Sequence, residues 1–179
     1  MIEGTHTEMI EIAINDANVF IDLCEIGLVE VFFGLPLRFH TTQLVLSELE
    51  EDQYLAISKF IKSKTLIVRD LTRHEIDQLS EISIQSRKLS MEDLSVYYYA
   101  RELESKGQIC MILTGDNRLK KEAVRQGFEA HGVLWVFEQL VSKGLITSEM
   151  AINKLQELMR INTWLPTTDC ERMMAGWER

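Results

Sequence analysis

Five consecutive apolar residues, Ile109-Cys-Met-Ile-Leu113, constrain this chain more than any other stretch. The run has the length of a strand and no polar alternation, so both of its faces must be covered. Strands of that kind belong to parallel sheets, where crossover helices lie on both sides. The rest of the chain fits. Short strand-like segments at 11–14, 37–41, 66–68 and 129–131 alternate with helical periodicity at about 19–33, 43–52, 53–63, 73–85, 91–106, 117–126, 133–143 and 148–160. Gly27 interrupts the first helical stretch, and Gly34 and Pro36 stop it. Thr168-Asp-Cys-Glu171 has the spacing of a capping box and predicts a last helix near the C-terminus. The expected fold class is α/β, a three-layer α/β/α sandwich with a central parallel sheet of four to five strands.

A chain of 179 residues is long enough for one domain with its own core. No apolar run approaches the ~18–20 residues that span a bilayer. The opening MIEGTHTEMIE has neither the basic start nor the apolar stretch of a signal peptide, so a cytoplasmic protein without membrane contact is expected. Lys and Arg number 19 against 28 Asp and Glu, a net charge of −9. That balance excludes holding nucleic acid by bulk electrostatics, though not an enzyme that touches it locally. Cys24, Cys110 and Cys170 are widely separated, and the four histidines form no HxH or HExxH pattern, so zinc spacing is absent.

Ligands of open α/β sheets bind outside the carboxyl ends of the strands. Asp16 follows the first strand and Asp116 follows Ile109-Cys-Met-Ile-Leu113, each where a helix begins. Asp93 opens the 91–106 helix and shares its apolar stripe with Val96, Tyr97, Ala100 and Leu103, whereas Glu92 is one position off. Glu48 shares the face of Leu44 and Val45 in a helix that Thr42 could cap. Each acid also has a plainer reading. Asp16 and Asp116 suit N-caps, Ser90-Met-Glu-Asp93 suits a capping signature, and Glu48 suits a partly solvated helix position. The fold, however, brings all four to one edge of the sheet. Two carboxylates ~5–6 Å apart repel by roughly 3 kcal/mol at an effective dielectric of ~20. Such a group either takes up protons or holds a divalent cation, and oxygen donors favour magnesium or manganese.

At this point the chain resembles PIN-domain proteins. The resemblance lies in Ile14-Asn-Asp16-Ala-Asn18-Val-Phe-Ile-Asp22-Leu, Thr41-Thr-Gln-Leu-Val45-Leu-Ser-Glu48-Leu, Leu89-Ser-Met-Glu-Asp93 through Ala100, and Leu113-Thr114-Gly-Asp116-Asn-Arg-Leu-Lys. Gly132-Val-Leu-Trp through Lys143-Gly144-Leu-Ile146 is similar to the extended C-terminus of VapC-type toxin ribonucleases. The resemblance implies one PIN-like domain over 1–179, with a catalytic core at 11–132 and a C-terminal helical extension at 133–179. It implies an endoribonuclease dependent on Mg2+ or Mn2+ that hydrolyses RNA phosphodiester bonds. Such enzymes are often the toxin of a toxin–antitoxin pair, with an antitoxin protein as partner, and often homodimers. The four family acids fall on Asp16, Glu48, Asp93 and Asp116, with Asp16, Asp93 and Asp116 holding metal and Glu48 a ligand or water-positioning group. Asn18 and Thr114 match its supporting polar positions, while Ala17 stands where many members carry Ser or Thr.

Arg87, Lys88, Arg118, Lys120 and Lys121 flank these acids and are candidates for phosphate contact, or simply solvated helix faces. Two other readings compete. A non-catalytic binding module on the same fold needs no working acids. A HAD-type phosphatase needs a second acid two residues after the first, where this chain has Asn18. Tyr97-Tyr98-Tyr99 could stack bases, though Tyr97 lies on the core stripe. Cys170, Met173, Met174 and Trp177 recur at helical spacing, a stripe suited to packing on the domain itself or on a partner.

Overall fold

The first strand of the chain is the centre of its sheet. The computed structural model describes residues 11–86 and 89–178. β1 (Ile12–Asn15) has β2 (Arg38–Thr42) and β3 (Leu66–Arg69) on one side, β4 (Cys110–Leu113) and β5 (Glu129–His131) on the other. All neighbours are parallel, in the order β3-β2-β1-β4-β5. Ile14 faces His40 across one pairing and Ile112 across the other. Every residue of β1 and β4 is buried, as strands covered on both faces require. The continuous apolar run begins one residue later than its sequence suggests, because Ile109 is 59% exposed and precedes β4.

Helices divide into two packed groups. α1 (Ala17–Glu25) lies against α2 (Val29–Phe32), α4 (Glu51–Lys62) and α8 (Val133–Ser142), and α8 carries α9 (Ser148–Ile161), which in turn carries α10 (Thr167–Trp177). α6 (Met91–Ser105) crosses β2, β1 and β4 and packs on α3 (Gln43–Leu46), α5 (Arg73–Ser86) and α7 (Asn117–Arg125). The expected three-layer sandwich is therefore what forms, with five strands. Gly27, at φ +69°, permits the left-handed turn between α1 and α2, where Leu28 N–H closes onto the Leu23 carbonyl at 2.8 Å. An aromatic nest of Phe32, Phe33, Phe39 and Phe60 fills the space beneath it, with Phe32 and Phe39 ring centres 4.8 Å apart.

Three local expectations are corrected. The helix expected over 43–52 ends at Leu46, because Gln53 reaches back to the Glu50 N–H at 3.0 Å and starts α4 afresh. Glu48 therefore lies in a turn, with its N–H on the Val45 carbonyl at 3.1 Å, and not on a helix face. The Thr168 capping box does not form: α10 begins at Thr167 behind Pro166, whose carbonyl takes the N–H groups of Asp169 and Cys170. On α6 the residue buried beside Val96 and Ala100 is Tyr99, 5% exposed, while Tyr97 is half-buried with its edge on Phe128. Tyr98 donates to Glu75, and Tyr99 pairs with His40 at 2.7 Å, so the tyrosine run is packing. The Cys170/Met173/Met174/Trp177 stripe packs on the chain's own core, with Trp177 6.3 Å from Phe137. No described helix is long and apolar enough to cross a membrane.

Candidate active site

The strand order reverses between β1 and β4, since β1 leads outward to β2 and β4 leads outward to β5. A crevice opens at the carboxyl ends of two strands that diverge in this way. Asp16 follows β1, Asp116 follows β4 across the Thr114-Gly115 turn, and the Asp16 N–H donates to the Leu113 carbonyl at 2.9 Å. α6 begins at the same edge and brings Asp93. Its placement is fixed by Ser95, whose hydroxyl lies 2.7 Å from that of Thr42 at the end of β2. The turn after α3 brings Glu48. The neighbouring strand ends are pinned by Asn15, whose amide donates to the His40 carbonyl, and by Thr41, whose hydroxyl donates to the Asn15 carbonyl.

Asp16 is 2% exposed. Its Oδ1 accepts from the Ala17 N–H at 2.8 Å, and its Oδ2 accepts from Thr114 Oγ1 at 2.8 Å and Asn18 Nδ2 at 3.2 Å. Thr114 Oγ1 also accepts from the Asp116 N–H at 2.9 Å, so one hydroxyl ties the two strand-end acids together. Asp116 Oδ1 takes the N–H groups of Arg118 and Leu119 at 2.6 and 3.0 Å. Asp93 exchanges bonds of 3.1 Å with Ser90 in a capping box. The plainer readings of the three aspartates are thus true: Asp16 and Asp116 cap their helices, and Asp93 completes the capping box that Ser90 opens.

Capping does not account for the charge. Burial pushes Asp16 up to about 6 against the pull of Thr114, and the charge of Asp93 pushes the same way. Glu48 is an exposed residue, yet the protein around its carboxyl group raises it to about 7, with Asp16, Glu92 and Asp93 adding to the rise. Asp93 is raised by burial, opposed by Ser90 and assisted by Asp116. These four acids, joined by Glu92, therefore feel one another. The basic group described beside them is Arg118, 73% exposed, with Nη2 3.8 Å from Asp116 Oδ2. Lys120 and Lys121 are exposed on α7, whereas Arg87 and Lys88 lie outside the described residues.

Among the described residues, no three His, Cys, Asp or Glu side chains stand as a ready-made metal cage. The donor chemistry nonetheless fits a hard divalent ion. The cluster offers carboxylate oxygens only. Asp116 caps through Oδ1 and Asp93 bonds Ser90 through Oδ2, which leaves the second oxygen of each for a cation, and among the described residues no buried cation neutralises the raised acids. Glu92 is an acid of this edge that the stripe argument sets aside. Asp22 is another, buried on α1 and raised to about 6 by burial against the hydrogen bonds of Asn162. Its position one turn beyond Asn18 was the available signal. Asn162 and Trp164, which border the same cleft, had none, because their approach to α1 is a tertiary contact.

Fold and site together define an α/β domain with an acid-lined crevice at its switch point. A family model described as the PIN domain matches residues 12–179, and the chain belongs to the PIN-domain family. PIN domains are generally nucleases and typically use divalent metals. Among solved structures, the crystal structure of PAE2754 from Pyrobaculum aerophilum is similar at 15% identity and TM-score 0.43, over 78% of this chain and 97% of that one. None of the curated proteins matches this sequence.

Proposed function

We propose that this protein is a Mg2+- or Mn2+-dependent endoribonuclease that hydrolyses RNA phosphodiester bonds at the β1/β4 crevice. The observation that carries the reading is the convergence at that crevice of carboxyls raised by burial and by one another's charge, with no buried cation beside them among the described residues. Asp16, Asp93 and Asp116 would hold the metal, with Glu48 as a further ligand or water-positioning group. The bound ion would supply Lewis acidity for activating water and stabilising charge at phosphorus. Asn18 and Thr114 hold the Asp16 carboxylate by donating to it, so its orientation is set before metal or substrate arrives. Glu48, raised to about 7, is tuned to exchange a proton near neutral pH when no metal is bound. Arg118 borders Asp116 and stands where a phosphate could be met.

The C-terminal resemblance extends the proposal to the toxin of a toxin–antitoxin pair, acting as a homodimer with an antitoxin partner. A non-catalytic module draws support from one fact, that all three aspartates take part in capping a helix, Asp16 and Asp116 as caps and Asp93 in the capping box of Ser90. One assay decides. Single-stranded RNA and a phosphate monoester are incubated with manganese, with and without chelator. Cleavage of RNA alone, abolished by chelator, is expected. Intact RNA over the same range leaves the module reading, and hydrolysis of the monoester alone leaves a phosphatase.

A further inference from the structure

The crevice continues from the acids onto the C-terminal helices. One lobe of about 440 Å³ runs from Asn18 and Asp116 to Trp164. A second, of about 520 Å³, shares Asp22, Asn162 and Trp164 with the first and extends past Lys120 to the His131–Trp135 pair. The connection between α9 and α10 forms the shared wall.

Trp164 is 93% exposed, more than any other large apolar side chain described. Its loop is nevertheless tied down. Asn162 Nδ2 donates to both oxygens of Asp22, at 3.0 and 3.2 Å, and Asn162 Oδ1 accepts the Trp164 N–H at 3.0 Å. Asp22 sits on α1, the helix that Asp16 caps, so the loop is anchored to the same element as the acids. Across the cleft the His131 and Trp135 rings stack 4.7 Å apart at 15°. Lys120, four residues after Asp116 on α7, is exposed and enters no ion pair among the described residues.

We infer that this cleft is a subsite for an unpaired RNA strand, with Trp164 the platform on which a base stacks and Lys120 meeting the adjoining phosphate. The inference rests on the nuclease reading above for its substrate. An indole held out in water gains nothing for the fold, whereas a base offers a π-face to cover it. A duplex hides those faces, so the platform selects single strands. The charge of the lining does not supply the affinity. The lining sets Arg118, Lys120 and Arg172 against Asp22, Asp116, Asp169 and Glu138, and Arg172 is already 3.3 Å from Asp169. In a chain of net charge −9, stacking must supply affinity that a basic groove supplies elsewhere.

The test measures binding of a labelled single-stranded RNA oligonucleotide to the full chain in calcium, by anisotropy and by quenching of tryptophan emission, with cleavage in manganese measured alongside. Trp164→Ala should weaken binding about 5- to 150-fold and abolish most of the quenching, the range for losing one stacked base. Trp164→Phe should stay within a few-fold of the parent. Circular dichroism reports that both variants fold. If the parent cleaves RNA and Trp164→Ala binds it equally well, the subsite is wrong and the nuclease reading stands. If the parent binds RNA through Trp164 yet never cleaves it, the subsite stands and the nuclease reading fails. No RNA binding by the parent overturns the subsite. Unchanged RNA binding with loss of self-association in the ultracentrifuge also overturns it, and assigns Trp164 to an interface between copies of the chain.

Discussion

Two groups of acids sit on opposite sides of α6, and they are treated differently. At its outer face Glu75 and Glu102 clamp Arg69, with oxygens 2.8 Å from Nη2 and Nε. The Thr72 backbone and the Arg69 guanidinium hold Glu75 down to about 2. Burial would raise Glu102, but Lys106 and Arg69 keep it below the usual range. At the N-terminal end of α6, Asp93 meets Asp16, Glu48 and Asp116, and burial and like charge push Asp93, Asp16 and Glu48 upward. The first group is finished within the chain. Among the described residues the second has only the exposed Arg118 beside it, and a partly buried like-charge cluster is a common mark of a functional site. What separates the two groups is Arg69, a half-buried cation held between the acids of the first.

The largest expected effect falls on the unfinished group. Asp116→Asn keeps a cap, because Asn caps a helix about as well as Asp. Metal-free stability should therefore hold or rise slightly, while RNA cleavage should fall by orders of magnitude through loss of a metal ligand. Full cleavage in this variant would make Asp116 a cap and nothing more. The finished group should respond in the opposite way. Arg69→Ala takes the guanidinium from two half-buried carboxylates, leaving Glu102 with Lys106 and Glu75 with Thr72 and Tyr98, and should cost about 2 kcal/mol, roughly 4–8 °C in melting temperature, which added manganese does not restore. An unchanged melting temperature would show that the clamp contributes little.

A smaller effect comes from pH. Asp16 and Glu48 have folded values of about 6 and about 7, above their ordinary 3.8 and 4.5, so the fold binds protons that the unfolded chain releases. Stability of the metal-free protein should rise as pH falls through about 7 and then about 6. Glu75 has the opposite sign: its contribution is full above its unfolded value of 4.5 and fades as pH falls toward about 2. Melting curves across pH should therefore peak between these ranges, and the peak should flatten when manganese occupies the acid edge. A monotonic rise toward alkaline pH would contradict the raised values.

Much of this was legible in the sequence, for definite reasons. The sheet followed from the unbroken run ending at Leu113, and Asp16 and Asp116 followed from lying just past strand ends, where chain direction alone fixes position. Asp93 followed from the stripe it shares with Val96 and Ala100. Glu48 reached the right edge on a wrong premise, because the break before α4 depends on Gln53 capping a glutamate, which is not a standard cap residue. The Thr168 box failed because Pro166 already presented a carbonyl to the first turn. The Asp22–Asn162 clamp was beyond sequence reasoning, since it joins residues 140 positions apart and only the folded chain brings them together.

Manganese titration of the metal-free protein, followed by its melting temperature, addresses the comparison most directly. An acid edge with no buried counter-charge among the described residues predicts a saturable rise in the parent at millimolar metal or below, strongly reduced in Asp116→Asn and retained in Arg69→Ala. A melting temperature that stays flat in the parent across that range would contradict the account, and would place the acids of β1 and β4 beside those of Arg69 as structure alone.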